Sequence, residues 1–221
     1  GGRRRPDLGP LFYEPTVLVD VDPATLNLDP TAVPADASGL VAVHYAGLPV
    51  ELSDLPDRPP VVIEDGAHAL GSRSTDGAVG GCQRSDMTVF SFHPVKLITT
   101  GEGGMVTTNS GELADGLRRF RNHGIVRRSD VAPWYYEVVD RGFNYRMTDL
   151  QAALGRSQLR RLDQFIERRN DLADRYRDLL SDLPLTLPPT ASGSAVHSYH
   201  LFPIRVDDRR RVFDGLHAAG I

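Results

Sequence analysis

The sequence predicts an α/β fold, and three observations point to it. Short apolar runs bounded by turn-forming residues recur in the first half, a long stretch of helical periodicity follows, and a strand–helix pair ends the chain. The apolar runs are near-continuous rather than alternating, which is typical of sheet strands covered on both faces. We therefore expect one α/β domain followed by the beginning of a second.

The predicted elements follow one another along the 221 residues. Residues 1–16 are rich in Gly, Pro and Arg and show no periodicity, so we expect an atypical, irregular segment there. The predicted strands are 17–22, 40–44, 60–64, 87–92, 104–108 and 199–206. The predicted helices are 112–122, 148–180 and 209–219.

Local signals support the two central helices. Ser110 can cap the first, and Thr148 with Gln151 has the spacing of a capping box at the start of the second. Gly155 lies inside the second helix, where glycine costs about 1 kcal/mol relative to alanine. We therefore expect another part of the chain to pack closely against Gly155.

Composition excludes several classes of function. A net charge of -4 and a pI near 6.0 give no polyanion-binding signature, so nucleic acid is not an expected partner. The single cysteine, Cys82, excludes an intramolecular disulfide and a cysteine-based zinc site. No apolar run has membrane-spanning length, and no signal peptide opens the chain. We expect a soluble, cytoplasmic protein without a membrane partner or a metal site.

Lys96 is the only lysine in a chain that contains 24 arginines. A guanidinium is never deprotonated in a protein, whereas a lysine amine can lose its proton and attack a carbonyl carbon. Schiff-base formation is the leading use of that difference. The alternative is that one surface lysine has persisted by chance.

Acidic residues end the predicted strand before residue 65. Asp65 would lie at the carboxyl edge of the sheet, where open α/β sheets place ligands, and its carboxylate could pair with a pyridinium nitrogen. His68, three residues later, could lie beside the same ring. The alternative is that Asp65 caps the following turn and His68 is an ordinary loop histidine.

Three further motifs have both a functional and a structural interpretation. Ser91 could bind a phosphate oxygen or could be a turn hydroxyl. The glycine-rich segment 99–104 allows positive φ and close backbone approach, which suits either a ligand or a hairpin turn. Residues 142–149 place amide, phenol and guanidinium groups before a helix N-terminus, which suits an anion or an ordinary loop with a cap.

The order of these motifs is more specific than any one of them. The segments VIEDGAHALGS, SFHPVKLITTGEGGMVTTN, LRRFRNHGI and GFNYRMTDLQAALGRSQLRRLDQFIERR closely resemble the DegT/StrS family of sugar aminotransferases, which depend on pyridoxal phosphate. VHYAGLPVEL and SYHLFPIRV also fit that family. The resemblance extends over residues 17–221.

The resemblance implies a fold type I transferase with a mixed sheet. Residues 17–165 would form a partial large, cofactor-binding domain, and residues 166–221 would begin the small domain. The chain would use pyridoxal phosphate and would form a homodimer with shared active sites. It would move an amino group from an amino acid such as glutamate to a keto-deoxysugar nucleotide of the UDP-4-keto type.

The resemblance also implies a role for each site residue. Lys96 would form the Schiff base with the cofactor and move a proton between donor carbon and cofactor. Asp65 would pair with the pyridine nitrogen, and His68 would contact the side of the ring that carries the hydroxyl. Ser91 would bind the cofactor phosphate, and Asn144 would reach the phosphate in the neighbouring subunit.

The chain also departs from the family pattern. Relatives have an N-terminal segment with a Gly-Thr phosphate-binding turn and an aromatic residue stacked on the ring, and residues 1–16 do not match it. We therefore expect a chain truncated at both ends. Two alternatives follow: a non-catalytic homologue, or a pyridoxal-phosphate enzyme of another reaction type acting on sugars. Lys96 argues against sugar dehydratases, in which histidine replaces the lysine.

Overall fold

The computed structural model describes residues 21–221. Predicted segment 1–16 and most of predicted strand 17–22 lie outside the described residues. The strands are β1 Leu40–Val43, β2 Val62–Asp65, β3 Arg73–Ser74, β4 Gly77–Ala78, β5 Met87–Ser91, β6 Gly104–Thr107, β7 Ile125–Arg127 and β8 Tyr136–Val138. The α-helices are α1 Gly111–Phe120, α2 Asp149–Leu159, α3 Leu162–Leu180 and α4 Arg209–Ala218.

The central sheet has four strands in the order β1-β2-β5-β6. Strands β1, β2 and β5 run parallel, and β6 pairs antiparallel with β5. The sheet is therefore mixed, which confirms the predicted α/β class. Two small hairpins, β3–β4 and β7–β8, were not predicted, because strands of two or three residues are too short to show a period.

The prediction that both sheet faces are covered is wrong for the described residues. Leu40 and Ala42 are 4% and 0% exposed. The alternate residues of the same strand, Val41 and Val43, are 59% and 43% exposed. Side chains alternate between the two faces along a strand, so β1 is buried on one face only. Because valine occupies the exposed positions too, the apolar run could not reveal which face is covered.

Two groups of apolar side chains form the core on the covered face. One surrounds β1 and β2, and the other surrounds Phe90 of β5. The first contains Val33, Leu40, Ala42, Val50, Leu52 and Val62, and the second contains Ala69, Val79, Phe90, Phe92 and Ile98. Leu162 and Phe165 of α3 pack against the second group, so this helix lies on the covered face of the sheet.

The predicted helix 148–180 is two helices rather than one. It is interrupted before Leu162, where Arg161 has non-helical backbone angles of φ -108° and ψ 4°. The break lets α3 change direction and place Leu162 and Phe165 against the core, so tertiary packing overrides a continuous helical period. The predicted caps are confirmed: Ser110 accepts from the Leu113 N–H, and Thr148 with Gln151 forms a capping box.

The predicted strand 199–206 is also wrong. Only an isolated antiparallel bridge between Thr186 and Arg205 forms there. The backbone groups of the preceding residues instead bind the loop after β1, as described below. The final predicted helix is confirmed as α4. The domain boundary predicted at 165/166 falls inside α3 and stays a prediction. None of the helices within residues 21–221 is both long enough and apolar enough to span a membrane.

Candidate functional site

Asp65 and Ser91 lie at the same edge of the sheet. Each is the last residue of its strand, and the two strands are parallel neighbours, so both occupy the carboxyl edge. Asp65 is in register with Val89, and Ser91 follows two residues later. Residues two apart in a strand share a face, so the Asp65 carboxylate and the Ser91 hydroxyl are on one face of the sheet.

Asp65 has a turn contact as well as a free oxygen. Its Oδ1 accepts a hydrogen bond from the Ala67 N–H at 3.0 Å, as the structural interpretation predicts. Its Oδ2 has no hydrogen bond or ion pair with any residue in 21–221. The carboxylate is thus held by the backbone through one oxygen and can present the other to a ligand.

Lys96 lies in the loop that leaves Ser91. The Phe92 N–H binds the Gly103 carbonyl oxygen at 2.9 Å, and the Thr100 N–H binds the Phe92 carbonyl oxygen at 3.0 Å. These bonds close residues 92–103 into a compact loop and place Lys96 in its outer part. The Lys96 side chain is half-buried and forms no hydrogen bond or ion pair with a described residue.

Helix α2 packs against this loop and binds it through two glutamine side chains. Gln158 Oε1 accepts from the Thr99 N–H at 3.0 Å, and Gln151 Nε2 donates to the Glu102 carbonyl oxygen at 3.0 Å. A Cβ added at Gly155 would lie 2.8 Å from Cγ2 of Thr100. The close packing predicted at Gly155 is confirmed, and it brings the helix backbone against the lysine loop.

The glycine-rich segment is the turn between β5 and β6. Gly101 and Gly103 have φ of +81° and +153°, values that residues other than glycine rarely adopt. A Cβ at Gly104 would lie 2.7 Å from the Phe90 carbonyl oxygen. The hairpin interpretation of 99–104 is thus the one observed, and it fixes where the lysine loop begins and ends.

His68 connects Asp65 and Lys96 electrostatically. Burial, the nearby Lys96 ammonium and, in the opposite sense, the Asp65 carboxylate act on its ring, and the pKa of His68 is lowered as a result. The Ala46 N–H donates to His68 Nδ1 at 3.3 Å, so the neutral ring carries its proton on Nε2. The Asp65 and Lys96 charges thus both act on the His68 ring, which follows β2 at the carboxyl edge.

His200 was not predicted as a site residue. Its ring lies on His68, with centroids 4.4 Å apart and planes at 43°. Burial is the main cause that lowers the pKa of His200 to about 4, and the positive charges of His68, Lys96 and Arg169 lower it further. Its Nδ1 is buried and has no hydrogen-bond partner among residues 21–221. SYHLFPIRV contains this residue, but its apolar pattern predicted a strand rather than a site.

Backbone contacts hold the His200 segment in place. The Ser198 N–H and the Leu201 N–H donate to the carbonyl oxygens of Gly47 and Ala46, both at 3.2 Å. The Ser198 hydroxyl donates to the His68 carbonyl oxygen at 3.1 Å. A segment 130 residues further along the chain is thus fixed to the two turns that border Asp65.

A buried polar network lies behind Asp65. His44 Nε2 donates to Glu64 Oε2 at 2.8 Å, and the hydroxyls of Ser85 and Thr88 donate to Glu64 Oε1. Burial acts to raise the pKa of Glu64, but these hydrogen bonds outweigh it and hold that pKa below its usual value. The network ties the ends of β1, β2 and β5 together immediately before Asp65.

Asn144 lies away from these residues within the chain. It forms an antiparallel bridge with Asn122 and makes no hydrogen bond with Asp65, His68, Ser91 or Lys96. Its neighbours Phe143 and Tyr145 stack at 5.0 Å and are 48% and 65% exposed. In the described part of the chain, no three His, Cys, Asp or Glu side chains group in a way that could hold a metal ion.

Comparison with known proteins agrees with this geometry. The chain belongs to the DegT/DnrJ/EryC1/StrS aminotransferase family, whose pattern matches residues 13–221. It is 36% identical over 207 residues to the spore coat polysaccharide biosynthesis protein SpsC of Bacillus subtilis, covering 88% of this chain and 53% of that protein. The mixed sheet is therefore that of the fold type I sugar aminotransferases.

Two solved structures show the same similarity. PseC of Helicobacter pylori, described as an aminotransferase involved in the biosynthesis of pseudoaminic acid, has a TM-score of 0.75 and 31% identity over 89% of this chain and 55% of its own. The PLP form of the sugar aminotransferase Spr1654 from Streptococcus pneumoniae has a TM-score of 0.78 and 26% identity over 93% and 59%. The chain spans about half the length of the curated relatives that it matches, 54% and 53% for two of them.

Proposed function

We propose that this chain carries the pyridoxal-phosphate site of a transaminase that acts on nucleotide sugars. The observation that carries the proposal is the arrangement at the carboxyl edge of the sheet. Asp65 and Ser91 share one face there, and the only lysine of the chain lies in the loop that leaves Ser91. Family membership and the PLP form of a structural relative support the same cofactor.

The residues present fit this cofactor. Lys96 has an amine without an acidic partner among residues 21–221, so no ion pair within that range would have to break before the amine bound the aldehyde carbon. Asp65 has one oxygen without a partner among residues 21–221 and can hold a proton at a pyridine nitrogen. Ser91 can donate its hydroxyl to the phosphate, and His68 can donate Nε2–H toward the ring hydroxyl.

Asp65 and Lys96 would each have a chemical role in amino transfer. When bound, pyridoxal phosphate accepts the amino group of a donor and passes it to the keto carbon of an acceptor. Asp65 would hold a proton at the ring nitrogen of the bound cofactor, which would let the ring accept electrons. The Lys96 amine would take up and return a proton as a general acid–base.

The substrates follow from the relatives. We infer glutamate as the amino donor and a UDP-linked 4-keto deoxysugar as the acceptor. PseC takes part in the biosynthesis of pseudoaminic acid, and SpsC takes part in that of a polysaccharide, which supports a sugar acceptor. The reaction is cytoplasmic in this proposal.

The proposal includes a homodimer with shared sites. Asn144 does not meet Lys96 within one chain, yet it lies in an exposed aromatic surface formed by Phe120, Phe143 and Tyr145. Exposed apolar surface of this kind is typical of an interface. If this surface packed against the site edge of a second copy, Asn144 of one copy would lie at the cofactor phosphate of the other.

One experiment separates this function from the non-catalytic alternative. The purified chain, loaded with pyridoxal phosphate, is mixed with L-glutamate, and the released 2-oxoglutarate is measured together with loss of the visible cofactor band. We expect one 2-oxoglutarate per cofactor in the absence of an acceptor, and continued release when a keto-sugar nucleotide is added. Bound cofactor without any 2-oxoglutarate would support the non-catalytic homologue and contradict the proposal.

A further inference from the structure

Three of the four partly or fully buried histidines near the site have a fixed tautomer. His44, His68 and His197 each accept a backbone N–H at Nδ1, at 3.0, 3.3 and 3.0 Å from Val50, Ala46 and Tyr199. An accepting Nδ1 carries no proton, so the neutral ring must carry it on Nε2. The backbone therefore determines which nitrogen of these three rings can donate.

His200 differs from the other three. Its Nδ1 is buried without a partner, and its Nε2 has no hydrogen bond with any residue in 21–221. A buried polar atom without a partner is destabilising and rare in folded proteins, so such an atom needs an explanation. The explanation cannot be disorder of the segment, because its backbone is bonded to the turns at Ala46, Gly47 and His68.

The position of His200 suggests what the ring is for. It lies 4.4 Å from the ring of His68, which follows β2 three residues after Asp65. Arg169 donates to the carbonyl oxygens of Tyr199 and His200 and so holds the backbone from the other side. The backbone that carries the ring is therefore held in place and the ring lies beside His68, while nothing in the described chain selects the tautomer of His200.

We propose that His200 is a substrate-binding residue whose uncommitted tautomer lets Nε2 donate a hydrogen bond to one substrate and accept one from the other. This inference rests on the proposed function, because a transaminase binds two chemically different substrates in turn at one site. A dicarboxylate donor such as glutamate presents carboxylate oxygens, which require a hydrogen-bond donor. A sugar presents hydroxyl groups, which can donate to an unprotonated Nε2.

The chemistry requires no charge change on the ring. The proton moves from Nε2 to Nδ1 within the same neutral imidazole, and Nδ1 has no partner that would be lost in either form. A histidine with an N–H bound at Nδ1, such as His68, could donate from Nε2 but could not accept there. His200 is the one of the four rings that can serve both substrates.

A measurement on the chain alone tests the tautomer. Histidine ring ¹⁵N shifts at pH 7.5 distinguish protonated from unprotonated nitrogens, and exchange between tautomers gives averaged values. We expect averaged shifts for His200 and clear Nε2–H tautomers for His44 and His197, with the His200 signals assigned by their loss in His200→Gln. A single fixed tautomer at His200 would overturn the inference.

Ligand addition to the cofactor-loaded chain tests the substrate contact. We expect 2-oxoglutarate to shift the His200 Nε2 signal toward its protonated position, and UDP-N-acetylglucosamine to shift it toward the unprotonated one. His200→Phe keeps a ring on His68 but removes both nitrogens, so affinity for each ligand should fall about tenfold. His200→Gln, which can donate or accept near Nε2, should stay within about threefold of the original affinity.

Controls separate this inference from the proposed function. His217→Phe alters an exposed histidine on α4 and should leave both affinities unchanged. Shifts of Nε2 in the same direction with both ligands, or unchanged affinities in His200→Phe, would contradict the His200 role. Failure of the unaltered chain to bind pyridoxal phosphate would contradict the proposed function instead. The ring ¹⁵N measurement would still show whether His200 has a fixed tautomer.

Discussion

His44 and Glu64 form a 2.8 Å hydrogen bond in the interior, where their residues are 1% and 7% exposed. His44 is fixed from its other side by the Val50 N–H, and Glu64 accepts two further hydrogen bonds from Ser85 and Thr88. Glu64 directly precedes Asp65, so the network sets the direction in which β2 ends. Loss of this network should lower the free energy of unfolding by a measurable amount.

Replacing Glu64 with alanine should lower the free energy of unfolding by about 3–5 kcal/mol, because three buried donors lose their acceptor. Urea unfolding followed by circular dichroism measures this loss. Glu167→Ala, on the exposed side of α3, is the matched control and should change stability by no more than about 0.5 kcal/mol. Equal effects of the two substitutions would mean that the buried network is not stabilising.

Stability should fall as the pH drops from about 6.5 toward 4. Burial is the main cause that lowers the pKa of His197 and of His200 to about 4, from an ordinary value of 6.5. Between these values the unfolded chain binds protons that the folded chain does not, so acid favours unfolding. The slope is at most about 1.4 kcal/mol per pH unit for each histidine, and smaller for the partly exposed His200.

A matched pair of variants isolates the His197 share of this slope. His197→Asn retains an oxygen for the Tyr199 N–H but cannot titrate, so its unfolding free energy should depend less on pH between 6.5 and 4.5. Glu64 contributes to the pH dependence of both proteins alike, so its lowered pKa does not affect the comparison. His217→Asn should keep the original slope, and an unchanged slope in His197→Asn would contradict the assignment.

The same glycine-to-alanine substitution should have opposite effects in α1 and α2. Gly116→Ala in α1 adds a Cβ with only the end of the Arg119 side chain within 4 Å, at 3.9 Å, so better helix propensity should stabilise by about 0.5–1 kcal/mol. Gly155→Ala places its Cβ 2.8 Å from Thr100 Cγ2 and should destabilise the chain. It should also weaken pyridoxal-phosphate binding, since it displaces the lysine loop, and a stabilising Gly155→Ala would contradict this packing.

A mixing experiment tests the shared site of the proposed dimer. Asn144→Ala should trap little pyridoxal phosphate with borohydride at limiting cofactor, and Lys96→Arg should trap none through its side chain. Each mixed dimer should contain one complete site, so adding the Lys96→Arg chain should raise trapping on the Asn144→Ala chain. At equal amounts about half of the dimers are mixed, so up to about a quarter of all sites should trap the cofactor.

The control for that experiment is the double variant Lys96→Arg with Asn144→Ala. It can form the same mixed dimers but supplies no intact Asn144, so it should not raise trapping. Rescue by both added chains, or by neither, would contradict a site shared through Asn144.

The sequence could predict the part of the site that depends on local order along the chain. Asp65 and Ser91 each follow an apolar run, and parallel strands bring their carboxyl ends to one edge, so their common location follows from the pattern alone. Close packing at Gly155 was likewise predictable from the cost of glycine in a helix, but its partner, Thr100 in the lysine loop, was not.

His200 could not be predicted in the same way, because its position depends on contacts between distant segments. The Ser198–His68 hydrogen bond joins residues 130 apart, and Tyr199 has a positive φ of 44° that ends any strand there. The apolar residues of 199–206 therefore predicted the wrong secondary structure, and two of them, Leu201 and Ile204, are exposed. The interruption before α3 was missed for a similar reason, since core packing rather than local periodicity sets its direction.

The central claim is that Lys96 binds the cofactor, and mass spectrometry tests it most directly. With one lysine in the chain, the only other primary amine is the α-amino group at Gly1. After incubation with pyridoxal phosphate and borohydride reduction, the added mass should lie on the peptide that contains Lys96 and should be absent from Lys96→Arg. An added mass confined to the amino-terminal peptide, or no added mass, would contradict the account.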